Sequence, residues 1–216
     1  MKLDPKILKL ASNEVNQSLL QDLHFASALQ DFLQKSIDAE EYLNVQHGFK
    51  KFLYDYRVGR TLQAGDEAKL KILALIKKFR FKPSHVTNIS LLAGQIRDRG
   101  LSSGAHGPGL PQSFASKLMS IYKPDEVVPY DSYALKSIEL RSGQRIKELA
   151  YYYQAVENFR AEYFDESSSI INKLADAQDS KIREMSSSLN LNHERLLSWK
   201  LTDKYLWCEF LVRNKV

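Results

Sequence analysis

The sequence contains one cysteine, Cys208, so no intramolecular disulfide can form. It sits in the apolar run 205–211, where a buried, inert thiol is expected. Histidine is scarce as well. His24, His47, His85, His106 and His193 lie far apart, and none shares zinc-ligand spacing with the cysteine. No metal and no cofactor is expected. No apolar stretch approaches the length of a membrane span. Residues 1–11 break their apolar positions with Lys2, Asp4, Lys6 and Lys9, which is not the core of a signal peptide. A disulfide scaffold, a zinc domain and a helical membrane protein are thereby set aside, and a cytoplasmic protein is expected.

What remains is ordinary globular material. The 216 residues are 44% hydrophobic and 26% charged, enough to bury a core without covalent staples. The net charge of +5 is compatible with a polyanionic partner and does not require one. Helical periodicity dominates. Leu19, Leu23, Ala26, Leu29 and Leu33 recur every three or four residues. Tyr42, Val45, Phe49, Phe52, Leu53 and Tyr56 follow the same rule, as do Ile72, Leu75, Ile76 and Phe79, then Ile89, Leu92, Ala93 and Ile96. Each set lays an apolar stripe along one helix face. Gly65-Asp66 and Pro83-Ser84 read as stops and caps, with Ser84 an N-cap. Ile146, Leu149, Tyr153, Val156 and Phe164 mark a later helix. A last one runs from about His193 to Val212, with Leu196, Trp199, Leu206, Trp207 and Phe210 expected to point inward. No strand pair and no repeat is evident, so the expected class is all-α.

The middle of the chain differs. Residues 100–112 read GLSSGAHGPGLPQ, with four glycines and two prolines, and predict a tight irregular connection. A short amphipathic stretch, 113–121, follows. Then comes YKPDEVVPYDS, where Pro129 pushes Val128 toward extended geometry. Helix resumes after Asp131. Such a chain presents backbone N–H groups at a hairpin and a helix N-terminus, suited to a phosphate, and a carboxylate at the next helix start.

The segment 104–141 resembles the helix-hairpin-helix, Gly/Pro-Asp superfamily of DNA glycosylases, and within it the prokaryotic 8-oxoguanine DNA glycosylase-like group. The residues that carry the likeness are Gly107-Pro108-Gly109, Ser113-Phe114-Ala115-Ser116-Lys117, Pro124, and above all Val128-Pro129-Tyr130-Asp131-Ser132. Thr202-Asp203-Lys204-Tyr205-Leu206-Trp207 is similar to that group's closing helix. The strong likeness spans about a fifth of the chain.

The resemblance implies a two-lobed helical bundle in one domain, 1–216, with lobes at 1–100 plus the C-terminal helices and at 101–165. It implies a monomer bound to double-stranded DNA at the nucleoid, flipping an oxidised or modified purine such as 8-oxoguanine and cleaving its N-glycosidic bond. Asp131 would support the charge that develops on the sugar. In bifunctional members, which add AP-lyase activity, a lysine on the preceding helix forms a Schiff base. That register falls here at Gln112 or Ser113, neither of them lysine. Lys117 lies five residues past Gln112, about 140° round a helix. Either the hairpin is shifted and Lys117 is the nucleophile, or the chain has none and is monofunctional or a catalytically inactive DNA-binding protein.

Each of these residues also has a plainer reading. Asp131 is a good N-cap whatever else it does, and Lys117 borders an apolar stripe as an ordinary lysine would. Gly104, His106, Gly107, Gly109, Gln112 and Ser113 are the expected DNA contacts, or a plain loop and helix start. Tyr130, Tyr133, Trp207 and Phe210 are the expected walls of a base pocket, or core. Arg97 and Arg99 meet phosphate or end a solvated helix. The run Tyr151-Tyr152-Tyr153 cannot form one stacking platform, because successive helix positions point different ways, and at least one of the three is expected in the core.

Overall fold

The computed structural model describes residues 2–103 and 110–214. The chain is all-α: among the described residues there is no strand, only an isolated antiparallel bridge between Leu62 and Ser102. In chain order the helices are α1 (Pro5–Leu33), α2 (Ala39–Asn44), α3 (Phe49–Asp55), a single 3-10 turn (Gly59–Thr61), α4 (Asp66–Lys78), α5 (His85–Asp98) and α6 (Gln112–Tyr122). They continue as α7 (Ser132–Ser142), α8 (Leu149–Tyr163), α9 (Ser169–Asp176), α10 (Ser180–Ser188) and α11 (His193–Arg213). None of them is long and apolar enough to cross a membrane.

Side-chain caps set many of the boundaries. Asp38, Ser84, Ser168, Asp179 and Asn192 each accept a backbone N–H from the first turn that follows, satisfying one of the donors a helix start leaves over. The stripe 42–56 is not one helix. It breaks at residues 45–48, where Val45 turns extended and Gly48 packs its backbone onto Tyr42. A Cβ at Gly48 would lie 2.0 Å from the Tyr42 carbonyl oxygen, so only glycine fits that approach.

The chain forms two compact units, residues 1–23 with 123–216, and residues 24–122. The glycine-rich connection, the expected lobe boundary at 100/101, lies inside the second unit, because α5 and α6 pack on each other across it. In the first unit α11 is the central element and packs on α7, α8, α9 and α10. Its core includes Val128, Val156, Phe164, Ile171, Leu197, Leu201 and Leu206. A buried hub ties it together. Glu209, 1% exposed, accepts two hydrogen bonds from Arg141 at 2.6 and 2.8 Å, one from Ser137 Oγ at 3.0 Å, and pairs with Arg213. The Arg141 guanidinium also lies over the rings of Phe159 and Tyr205.

The second unit packs α2 on α3 and α4, α4 on α5, and α5 on α6 around an aromatic core. Phe114 meets Phe49 and Phe52 edge-on, and Phe32 stacks on Tyr42. His24 and His47 stack at 4.6 Å, and burial, then His24 and Lys51, hold the His47 imidazole below its ordinary pKa.

Candidate functional site

In the first unit the site begins with segment 127–130, outside any helix and leading into an extended Asp131. Val127 and Val128 are buried, and the two tyrosines after Tyr151 on α8 take hold of the backbone there. Tyr152 Oη donates to the Pro129 carbonyl at 3.0 Å and Tyr153 Oη to the Val128 carbonyl at 2.9 Å. Both rings are core residues, whereas Tyr151 is 64% exposed, as the divergence of successive helix positions requires. Proline stiffens the segment from within and two phenols fix it from outside, so the residue that follows has one position.

That residue is Asp131. Its backbone is extended, and its side chain caps α7 by accepting the Tyr133 N–H at 2.8 Å. The plain reading as an N-cap is therefore realised. Its backbone N–H is directed at the Tyr152 hydroxyl, whose ionisation is pushed up first by burial and then by Tyr153, Asp203 and Asp131.

A further charge acting on Tyr152 belongs to a residue that sequence reasoning gave no role. Asp203, on α11, holds its proton more tightly than an ordinary carboxyl. Burial is the main cause; Lys204 and Lys200 oppose it, and the negative charges of Asp131 and Asp22 reinforce it. Lys204 Nζ lies 3.9 Å from Asp203, and Lys200 Nζ donates to Asp22 at 2.8 Å with both side chains largely buried. Burial works against the Lys204 charge, yet Asp203, Asp22 and Glu14 outweigh it and raise its pKa. A signal for this network exists in the sequence: Lys200, Asp203 and Lys204 interrupt a helix otherwise rich in apolar residues. Cys208 lies on the same helix, its thiol pushed up to about 11 by burial and the nearby Glu14, which makes it the inert cysteine expected.

Beside Asp131 the expected pocket residues divide. Tyr133 on α7 stacks on Phe210 of α11 with centroids 4.8 Å apart, and meets Trp207 at 6.4 Å. Lys136 Nζ lies 5.1 Å from the Phe210 ring centre. Trp207 and Phe210 are half-buried rather than inward, unlike Leu196, Trp199 and Leu206, which are core. With Tyr133 at 37% exposure, the three rings form an accessible aromatic face that begins two residues after Asp131. Tyr130 instead leans edge-on against buried Tyr152 at 5.0 Å, and burial, with Glu139, raises its hydroxyl pKa.

The second unit carries Lys117. It lies in the middle of α6, half-buried, and its Nζ donates to the Tyr56 carbonyl at the end of α3, at 3.0 Å. Gln112 is the first residue of α6, and the Ser113 carbonyl accepts the Ser116 hydroxyl at 3.0 Å. Gly104, His106, Gly107 and Gly109 lie outside the described residues. Arg97 is paired with Asp98 at 2.8 Å, and Arg99 caps α5. Among the described residues no cluster of three or more His, Cys, Asp or Glu is arranged to hold a metal ion.

No protein-family model, no curated protein and no solved structure matches this chain.

Proposed function

We propose that the chain is a DNA N-glycosylase that accepts an oxidised or modified purine, such as 8-oxoguanine, flipped from a duplex. The observation that carries the reading is the placement of Asp131: a carboxylate fixed at a helix start by a clamped proline segment, with Tyr133 of the Tyr133–Trp207–Phe210 face two residues on. A carboxylate held at one position serves a reaction that builds positive charge on a sugar. In this scheme Asp131 stabilises C1′ as the N-glycosidic bond breaks, water adds to C1′ as its hydroxyl, and the proton that water gives up ends on the nitrogen of the departing base. The aromatic face supplies a stacking surface for an unpaired base.

One observation favours a second reading, a DNA-binding protein without chemistry. Lys117 Nζ is engaged with the Tyr56 carbonyl, and the register where the resembling family keeps its lysine is held by Gln112 and Ser113.

The test is a panel of lesion-containing duplexes, 8-oxoguanine included, assayed for base release with and without borohydride. Release without a trapped adduct, lost in Asp131→Asn, is the expected result. An adduct that disappears in Lys117→Ala would convert the reading to a bifunctional glycosylase/AP-lyase. Duplex binding with no release from any lesion would leave the second reading.

A further inference from the structure

The basic excess of the chain is not spread evenly. Residues 24–122 hold 14 Lys and Arg against 8 Asp and Glu, while the other unit holds 17 against 18. Between Glu67 and Asp98 there is no acidic residue at all, and seven basic ones. In the middle of that stretch lies Lys77-Lys78-Phe79-Arg80-Phe81-Lys82, spanning the end of α4 and the link to α5.

The link has a fixed shape. Phe79, at the end of α4, is extended. Phe81 stacks on Tyr122 with centroids 4.0 Å apart and planes within 15°, and Phe79 packs edge-on against Phe81 at 5.0 Å. The buried amide of Asn88 clasps the backbone of Lys82 from both sides. Its Oδ1 accepts the Lys82 N–H at 2.7 Å, and its Nδ2 donates to the Lys82 carbonyl at 2.9 Å. Phe79 and Phe81 are half-buried, while Lys78, the last residue of α4, and Arg80 and Lys82 of the link are exposed. Among the described residues none of these three is in an ion pair, unlike Lys50, Lys69 and Lys71 of the same unit, which are held by Asp66 and Glu67.

From this we infer that the ledge formed by Lys78, Arg80 and Lys82 is a docking strip for the phosphate backbone of a nucleic acid. Three exposed cations within five residues, next to a backbone held by Asn88 and by the Phe79–Phe81–Tyr122 contacts, suit a linear polyanion, and a preorganised backbone lowers the ordering cost of binding it. A lipid surface suits the strip less well. Its phenyl rings are occupied by each other and by Tyr122, and none of the exposed large hydrophobic side chains lies within 77–84. The strip rests on the proposed function only in taking the polymer to be duplex DNA; base excision is not needed for it.

The experiment uses the full chain and an undamaged fluorescent duplex, with affinity measured across a salt series. The triple variant Lys78→Ala, Arg80→Ala, Lys82→Ala is compared with wild type and with a control triple, Lys173→Ala, Lys181→Ala, Arg195→Ala, which removes exposed charges from the other unit. Removing one cation from a phosphate lowers the salt slope by about 0.9, so the ledge triple is expected to flatten it by roughly 2–3 and to weaken binding roughly 10²-fold at 0.1 M salt. The control leaves the slope in place, and Arg80→Lys keeps it. A ledge triple with the wild-type slope overturns the inference. So does a wild type that ignores DNA, or one that binds phosphatidylserine vesicles with the same dependence on these three residues. Base release measured in parallel separates the two claims. Binding through the ledge with no release from any lesion upholds the strip and sinks the glycosylase; release with an unchanged slope does the reverse.

Discussion

The two units treat charge in opposite ways. The first is nearly balanced and buries two ion pairs, Arg141 with Glu209 and Lys200 with Asp22, with a half-buried third, Lys204 beside Asp203. The second carries the excess of cations and keeps them at its surface, over an aromatic core. Burying an ion is costly and is tolerated where geometry and hydrogen bonds compensate, so buried ions report where a structure fixes position. Exposed, unpaired cations contribute little to stability and remain available to a partner. Under the proposed function, chemistry would fall to the first unit and grip to the second.

The contrast is most exposed to test at Glu209. Glu209→Ala leaves Arg141 buried without its carboxylate and is expected to cost about 3–5 kcal/mol in a denaturant titration. A loss under about 1 kcal/mol, the range of exposed ion pairs, would show that the hub fixes little. Next in size is the aromatic face. If it receives a base, Trp207→Ala is expected to weaken binding to a duplex holding a flipped lesion by about 1–3 kcal/mol, with undamaged duplex bound as before; equal losses on both would reduce the face to packing.

Smaller effects come from pH and from one backbone position. A carboxyl whose folded pKa is raised binds more protons folded than unfolded, so Asp203 subtracts stability as pH rises above the ordinary carboxylate value. Asp203→Asn is therefore expected to match or exceed wild type in Tm at pH 7 and to lose that advantage toward pH 4. An imidazole held below its ordinary pKa acts in the opposite sense. Below about pH 6.5 the unfolded chain takes up the proton first, and His47 subtracts stability as pH falls. His47→Phe should flatten the acid limb of a Tm–pH curve; an unchanged limb would mean that His47 contributes nothing to it. Last, Arg57 sits at φ +53, in the left-handed region that disfavours side chains. Arg57→Gly is expected to leave stability unchanged or raise it by up to about 1 kcal/mol, read by the same titration; a loss would mean that the side chain holds something in place.

Much of the fold was legible because helices announce themselves locally. The Leu19–Leu33 stripe, the Ser84 cap and the resumption at Ser132 all follow from spacing and capping chemistry. The break at Gly48 was not legible, since the need for glycine there comes from a close approach to Tyr42 and not from its backbone angles. Asp131 stood out through its proline lead-in. The grip of Tyr152 and Tyr153 on that lead-in joins residues more than twenty positions apart, which no local pattern encodes. Asp203 was in view as part of a helix. Its importance arises from burial beside Asp22 and Asp131, and burial is a property of packing. The ledge could have been read from the acid-free interval between Glu67 and Asp98, though the Asn88 clasp that stiffens it could not.

Whether Asp131 carries chemistry is decided by single-turnover base release from an 8-oxoguanine duplex and its companion lesions, comparing wild type with Asp131→Asn at matched occupancy. Wild type is expected to release base measurably and the variant to lose about 10²-fold or more of that rate, with duplex affinity retained. Release at the wild-type rate from Asp131→Asn, or no release by wild type from any lesion, would contradict the glycosylase reading.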